Sequence, residues 1–355
     1  MWGTLNFSSP VLPFYSLVIT VWSIVMLEYW KREESRTALQ WGMSDFEATE
    51  QVRPEFYGEL KPSYINGKLT LQYPASKFIR RGIISKAVVT TFCMLIIGIV
   101  ASIYVLRFQL ERYGNGRYYA STVASILNSI QIIVLNMLYR SVVTFLNNKE
   151  NHRTDTQYED NLIIKMFFFS FINNYSSFFF IAFIASNLTR PDNVNSDYVG
   201  ECGATNCMEP LSINLGIIFG VRLVVDNVIG YFGPYYQWKS KTSTETKGVD
   251  GLNTLSYPER QYFLVPYDHV RGSLDNFTGT AIQFGYQVLF VTALPIASFM
   301  ALLNNQVKLK IFSYTIFSVR IFIFFHTNYP IFLNQFLSVF FFIMMAIIIY
   351  HMVYA

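Results

Sequence analysis

The chain has 355 residues, of which 52% are apolar, 17% aromatic and only 14% charged, with a formal net charge of +4. Soluble domains carry about 25% charged residues, so this balance excludes an ordinary soluble globular protein and places the chain in a bilayer. Four scattered histidines and three cysteines, with no Gly-rich phosphate loop, metal-ligand cysteine pairs or Ser/His/Asp arrangement, leave an enzyme nothing to act through, and nothing marks a nucleic-acid binder.

In chain order, apolar runs occur at 14–30, 87–106, 119–139, 163–185, 212–232 and 278–303. Each approaches or exceeds the roughly 20 helical residues that a hydrocarbon core requires. We expect an all-α, polytopic helical membrane protein with these six spans, and one or two more in the hydrophobic tail 306–355. The first run is not a signal peptide, because Met1–Pro13 holds no basic residue and no small-residue cleavage site follows.

Lys and Arg are retained on the cytoplasmic side. The loops after the first, third and fifth spans hold nineteen of them and the two between hold four. The former are therefore expected in the cytoplasm and loop 187–211 outside, extracellular or lumenal, in a plasma-membrane or endomembrane protein. That outer loop carries the glycosylation sequon Asn187-Leu188-Thr189, a triplet that also arises by chance. It also carries Cys202 and Cys207, which either close a small disulfide in an oxidising compartment or stay free thiols. Cys93 falls within a span and reads as a small apolar filler. A basic rim facing anionic lipid accounts for the net charge.

The polar content of the spans carries the functional signal, since an ionisable side chain costs about 2.5–3.5 kcal/mol at the bilayer centre. Arg222 and Asp226 stand four apart on the fifth span and share one helix face. They either neutralise each other inside the bundle or line a polar groove with Asn214 and Asn227. The third span repeats the theme with Asn128, Gln131 and Asn136 among serines and threonines. These read as the wall of a conduit or as hydrogen bonds between helices.

Glu150-Asn151-His152-Arg153-Thr154, Tyr158-Glu159-Asp160, Lys165 and Phe171-Ile172-Asn173-Asn174-Tyr175-Ser176-Ser177 run from a charged loop into a Phe-rich span. They resemble the approach to the fifth membrane helix of the anoctamins, the calcium-activated chloride channels and phospholipid scramblases. Leu27-Glu28-Tyr29-Trp30-Lys31-Arg32 and Arg53-Pro54-Glu55-Phe56 resemble the end of that family's second helix and the loop after it. Glu201-Cys202 through Cys207 resembles its cysteine-bearing external loop, and Ile282-Gln283-Phe284-Gly285-Tyr286 with Leu302-Leu303-Asn304-Asn305 its seventh helix. The resemblance covers about residues 10–305 and makes the six spans helices two to seven of the family. Residues 1–305 would then be an anoctamin-like transmembrane region and 306–355 a divergent tail.

The resemblance implies an anion (chloride) channel, a phospholipid scramblase, or both. It would be homodimeric or paired with complete relatives, and its partners would be membrane lipids and chloride or other anions. Spans 119–139 and 212–232 would face each other as groove walls, with Asn128, Gln131, Asn136, Arg222 and Asp226 lining the path. Arg107 and Arg222 would attract anions or phosphate headgroups. The alternatives are a non-conducting regulatory or tethering paralogue and a non-functional truncated product.

Family calcium is held between helices six, seven and eight, and calcium takes six to eight oxygens, several from carboxylates. On residue matching, the ligand positions of the sixth and seventh helices fall at Asp226, Gly230, Asn276 and Gly279, so only Asp226 keeps a carboxylate. Asn227, Asp275 and Thr278 offer further oxygens. We expect a degenerate site at Asp226 and Asn227 without micromolar calcium affinity. The tail after Asn305, rich in Phe, Ile, Tyr and Asn, reads as intron read-through or as a diverged pair of spans, and the family places a cytosolic domain and a first helix before the segment that begins here.

Overall fold

The computed structural model describes residues 11–43, 46, 50–62, 67–112, 119–185, 208–245, 256, 258, 262, 269–290 and 292–317. Asn187, Cys202 and Cys207 lie outside the described residues, as does the tail beyond Phe317. The described elements are α1 (Val11–Gln40), β1 (Glu59–Pro62), β2 (Leu69–Gln72), α2 (Ala75–Arg112), α3 (Ala120–Glu150), α4 (Asp155–Phe179) prolonged by a π-helical turn (Phe180–Ile184), α5 (Met208–Glu245), α6 (His269–Leu289) and α7 (Ala297–Phe317). Among the described residues, five helical stretches, Pro13–Gln40, Ala75–Leu110, Ala120–Glu150, Asp155–Ile184 and Pro210–Glu245, are long and apolar enough to cross a bilayer. At a rise of about 1.5 Å per residue each exceeds a core roughly 30 Å thick. The fold is polytopic and helical, and the protein is an integral membrane protein.

The expected spans 14–30, 87–106, 119–139, 163–185 and 212–232 fall on α1 to α5. The expected span 278–303 does not form one helix: α6 stops at Leu289 and α7 starts at Ala297. Pro295 accounts for the break, since it has no N–H and drives the residue before it out of helical geometry. Turns fill the gap, with the Ala293 N–H donating to Phe290 O at 3.0 Å and the Ala297 N–H to Leu294 O at 3.0 Å. α7 then runs across Asn305 without interruption.

The chain divides into two compact units. One spans Leu17–Leu211 with Ser273–Ile282, and holds most of α1, the hairpin and α2 to α4. Its core face on α2 is Val89, Cys93, Ile96, Val100 and Tyr104, all buried at steps of three or four, as one helical face requires. Tyr139 of α3 stacks on Phe169 of α4 with ring centroids 3.7 Å apart, and Phe92 of α2 meets Tyr139 edge-on at 5.5 Å.

Polarity in this unit runs inside out. Ser125, Asn128, Ser129, Gln131, Asn173, Asn174 and Ser177 are buried, while Met94, Leu95, Ile97, Ile126, Ile130, Val134, Ile164 and Phe168 are exposed. A water-soluble bundle places charge on its outer face; helices that are apolar outwards are solvated by lipid.

The ends of these helices follow local rules. α1 closes with the Gly42 N–H on Leu39 O at 3.1 Å and the Met43 N–H on Ala38 O at 2.9 Å, with Gly42 at φ 66°. This is a left-handed stop that glycine adopts at low cost. Thr154 caps α4, its Oγ1 accepting the Gln157 N–H at 3.3 Å. The antiparallel hairpin pairs Glu59 with Gln72 and Pro62 with Leu69 in the loop after α1. A Cβ on Gly58 would sit 2.6 Å from Gln72 O, so only glycine fits there.

The second unit spans Ser212–Gly272 and Gln283–Ala355 with Met1–Ser16. Its described core is Leu215, Ile218 and Phe219 of α5, Tyr286 of α6, Ala293 in the turn, and Ala297 and Ala301 of α7.

Candidate functional site

Three polar clusters occupy otherwise apolar helices. The first lies at the junction of α3 and α4. A single residue in left-handed geometry, Asn151 at φ 61° and ψ 58°, ends α3, a conformation asparagine tolerates better than most. Its carboxamide accepts the Tyr57 N–H at 3.2 Å and donates to Tyr57 O at 2.8 Å. Arg53 adds a second tie, with Nε 2.7 Å from Asp155 Oδ1 and its guanidinium 4.0 Å above the Tyr158 ring.

Glu50 accepts the Thr156 N–H at 2.9 Å. Desolvation pulls its pKa upward, but hydrogen bonds from Thr156, Thr154 and Asp155 outweigh it and hold the carboxyl below the ordinary value. A hydrogen bond from the Arg81 guanidinium lowers the pKa of Tyr57.

Inward of this junction, Glu150 is buried between Lys165 and His152. Lys165 Nζ contacts Glu150 Oε1 and donates to Asn147 Oδ1 at 3.0 Å. His152 Nε2 lies 2.9 Å from Glu150 Oε2. Side-chain exposure is 10% for Lys165, 5% for Glu150 and 2% for His152, so the whole group is withdrawn from solvent.

The second cluster centres on Asn173, which is fully buried. Its Nδ2 donates to Ile132 O and to Asn136 Oδ1, both at 3.1 Å, and its Oδ1 accepts Gln131 Nε2 at 2.7 Å. Of the three expected lining residues on α3, Gln131 and Asn136 thus bond to Asn173 of α4. Asn128 is 2% exposed, and neither atom of its carboxamide has a hydrogen-bond partner among the described residues. Arg107 is buried within this unit.

The third cluster joins α5, α6 and α7. Arg222 Nε stands 3.3 Å from Asp226 Oδ2, the pair that their spacing predicts, and Lys308 Nζ approaches the same oxygen at 3.7 Å. Asn227 Nδ2 donates to Asn304 Oδ1 at 3.0 Å, Asn304 Nδ2 to Gln283 Oε1 at 2.7 Å, and Gln283 Nε2 to Asn305 Oδ1 at 3.0 Å. Gln283 Nε2 also reaches Ala301 O at 3.2 Å. Arg222, Asp226 and Lys308 keep side-chain exposures of 20%, 38% and 26%, enough to meet a solute.

This donor set does not suit calcium, which takes six to eight oxygens including several carboxylates. Asp226 supplies one carboxylate, and two cations already face it. Asp275 is committed to Arg140, 2.8 Å away in the other unit's own packing. Among the described residues no three His, Cys, Asp or Glu side chains gather. Spacing alone identifies Arg222 and Asp226. Lys308, Gln283, Asn304 and Asn173 were missed as members of these clusters, because each is defined by a neighbour on another helix.

A family model described as Anoctamin: Calcium-activated chloride channel matches residues 1–349. Similar curated proteins include anoctamin-7 of Homo sapiens, 29% identical over 321 residues that cover 84% of this chain and 34% of that protein. Anoctamin-3 of Homo sapiens is 28% identical over 324 residues, 85% of this chain and 32% of that protein. Anoctamin-4 of Mus musculus is 28% identical over 323 residues, 85% of this chain and 34% of that protein. The chain spans about a third of the length of these curated relatives.

Proposed function

Because this chain belongs to the anoctamin family, we propose that it is a membrane transport protein that moves chloride, other anions or phospholipid headgroups along polar helix faces. The observation that carries this reading is the partly exposed group Arg222, Asp226 and Lys308 on helices that are otherwise apolar. Two cations against one carboxylate leave a positive balance, and a positive site in a low-dielectric wall concentrates chloride and phosphate alike. Ionisable groups at membrane depth mark solute paths. The other unit, taken by itself, carries the carboxamides Asn128, Gln131 and Asn136 on α3 and the buried Arg107 on α2.

The protein acts in this reading as a homodimer or beside a longer relative, with loop 187–211 on the extracellular or lumenal side. The test is purified chain in liposomes, with chloride efflux and fluorescent-lipid accessibility measured on the same preparation. Flux or scrambling above protein-free vesicles, weakened by Arg222→Ala, is expected. Correctly inserted protein with neither activity overturns the proposal.

A further inference from the structure

Asp226 is the one residue at the matched calcium-ligand positions that keeps a carboxylate, and the structure fills its surroundings with the chain's own groups. Lys308, from α7, brings an ammonium to 3.7 Å from Asp226 Oδ2, and Arg222 Nε stands 3.3 Å from the same oxygen. Three of the neutral oxygens that a hard cation would recruit are also engaged, while Asn227 Oδ1 has no hydrogen-bond partner among the described residues and would add one ligand to the single carboxylate. The Asn304, Gln283 and Asn305 carboxamide oxygens accept N–H groups from Asn227, Asn304 and Gln283 respectively. A divalent ion entering here would break that amide chain and face two positive charges with one negative to hold it.

We propose that Lys308 is the resident cation of this site. Its ammonium joins α7 to Asp226 of α5, the role that a divalent ion would have played, and does so as a covalent part of the chain. The expectation of a metal rests on the family reading above; the ammonium contact rests on the side-chain geometry alone. A tethered cation has a fixed local concentration and cannot be chelated. The link between α5 and α7 is therefore permanent, and calcium adds nothing to it. Ammonium also asks less of its site than calcium, since three donors and one carboxylate suffice.

The experiment is thermal unfolding of the purified full chain in detergent, in EGTA and in calcium from low micromolar to millimolar. The wild-type midpoint is expected to be the same throughout. Lys308→Gln is expected to lower it, Lys308→Arg to restore most of the loss, and Asp226→Asn to lower it as well. In the double variant Asp226→Asn/Lys308→Gln the two losses are expected to be less than additive, because both singles already lack the ammonium–carboxylate contact.

A wild-type midpoint that climbs with low micromolar calcium overturns the proposal. So does a Lys308→Gln midpoint equal to wild type, or a double variant whose losses simply add. Should Lys308→Gln fail to fold, the comparison of Lys308→Arg and the double variant with wild type decides. Liposomes that show no transport would remove the functional reading while leaving these midpoints to judge Lys308 independently.

Discussion

Replacing Lys165 by methionine should be far more damaging than replacing both Lys165 and Glu150. The ammonium and carboxylate are 10% and 5% exposed, so removing one leaves the other charged in a poorly solvated place. Breaking a buried pair in this way costs about 3–5 kcal/mol. His152, 2.9 Å from the second carboxylate oxygen, remains as a partner for Glu150, which puts Lys165→Met near the lower end, at about 3 kcal/mol. Glu150→Gln strands the ammonium with only the Asn147 oxygen at 3.0 Å and should cost as much or more. The double variant Glu150→Gln/Lys165→Met buries no charge from the pair and should fall within about 1 kcal/mol of wild type, because replacing a buried pair by uncharged groups is often neutral. The coupling between the two sites should therefore be on the order of 5 kcal/mol. Reversible unfolding in mixed micelles, followed by circular dichroism on all four proteins, measures it. A Lys165→Met loss below about 1 kcal/mol, or a double variant as unstable as the sum of the singles, refutes the argument.

Asn173→Leu removes three hydrogen bonds at once, and at about 0.6 kcal/mol each, rising to about 1.7, should destabilise by roughly 2–5 kcal/mol in the same unfolding assay. A loss under about 0.5 kcal/mol would show that the amide hub contributes only polarity. Glu50→Gln should lower stability at neutral pH and flatten its loss in acid: the Glu50 pKa is lowered in the folded state, so its stabilisation is present above the unfolded value and is lost as pH falls through the folded one. Wild type and variant should thus differ at neutral pH and converge as pH falls below the ordinary glutamate range, and a difference unchanged with pH would count against the hydrogen bond from Thr156. A glycan removable by glycosidase and abolished by Asn187→Gln is expected if loop 187–211 is external, whereas an unmodified chain from a secretory host would reverse the proposed orientation.

Much of the fold was legible because lipid demands long apolar helices: six such runs stand out in the sequence, and five of them fall on helices that, among the described residues, are long enough to span. The expected span 278–303 fails because hydrophobicity was weighed without Pro295, whose missing N–H separates α6 from α7. The small hairpin after α1 was not foreseen, since its four-residue strands are largely exposed and carry no strong alternation. Within the sites, Arg222 and Asp226 could be paired from a four-residue spacing. Glu150 and Lys165, fifteen apart, and Asn173 with Gln131, forty-two apart, could not, since helix packing decides which residues meet. Lys308 reads as an isolated charge in a hydrophobic tail until α7 folds it towards α5.

Asn151 gives the α3–α4 corner a property that its length alone would not. A connection of four residues, 151–154, would ordinarily be the place where two helices flex. Here its side chain imitates a strand neighbour to Tyr57, taking the N–H and giving one to the carbonyl, while its left-handed backbone fixes the reversal. The corner is welded from both directions. A bend between α3 and α4 would have to break both hydrogen bonds to Tyr57, so the two helices are joined as one lever at this corner.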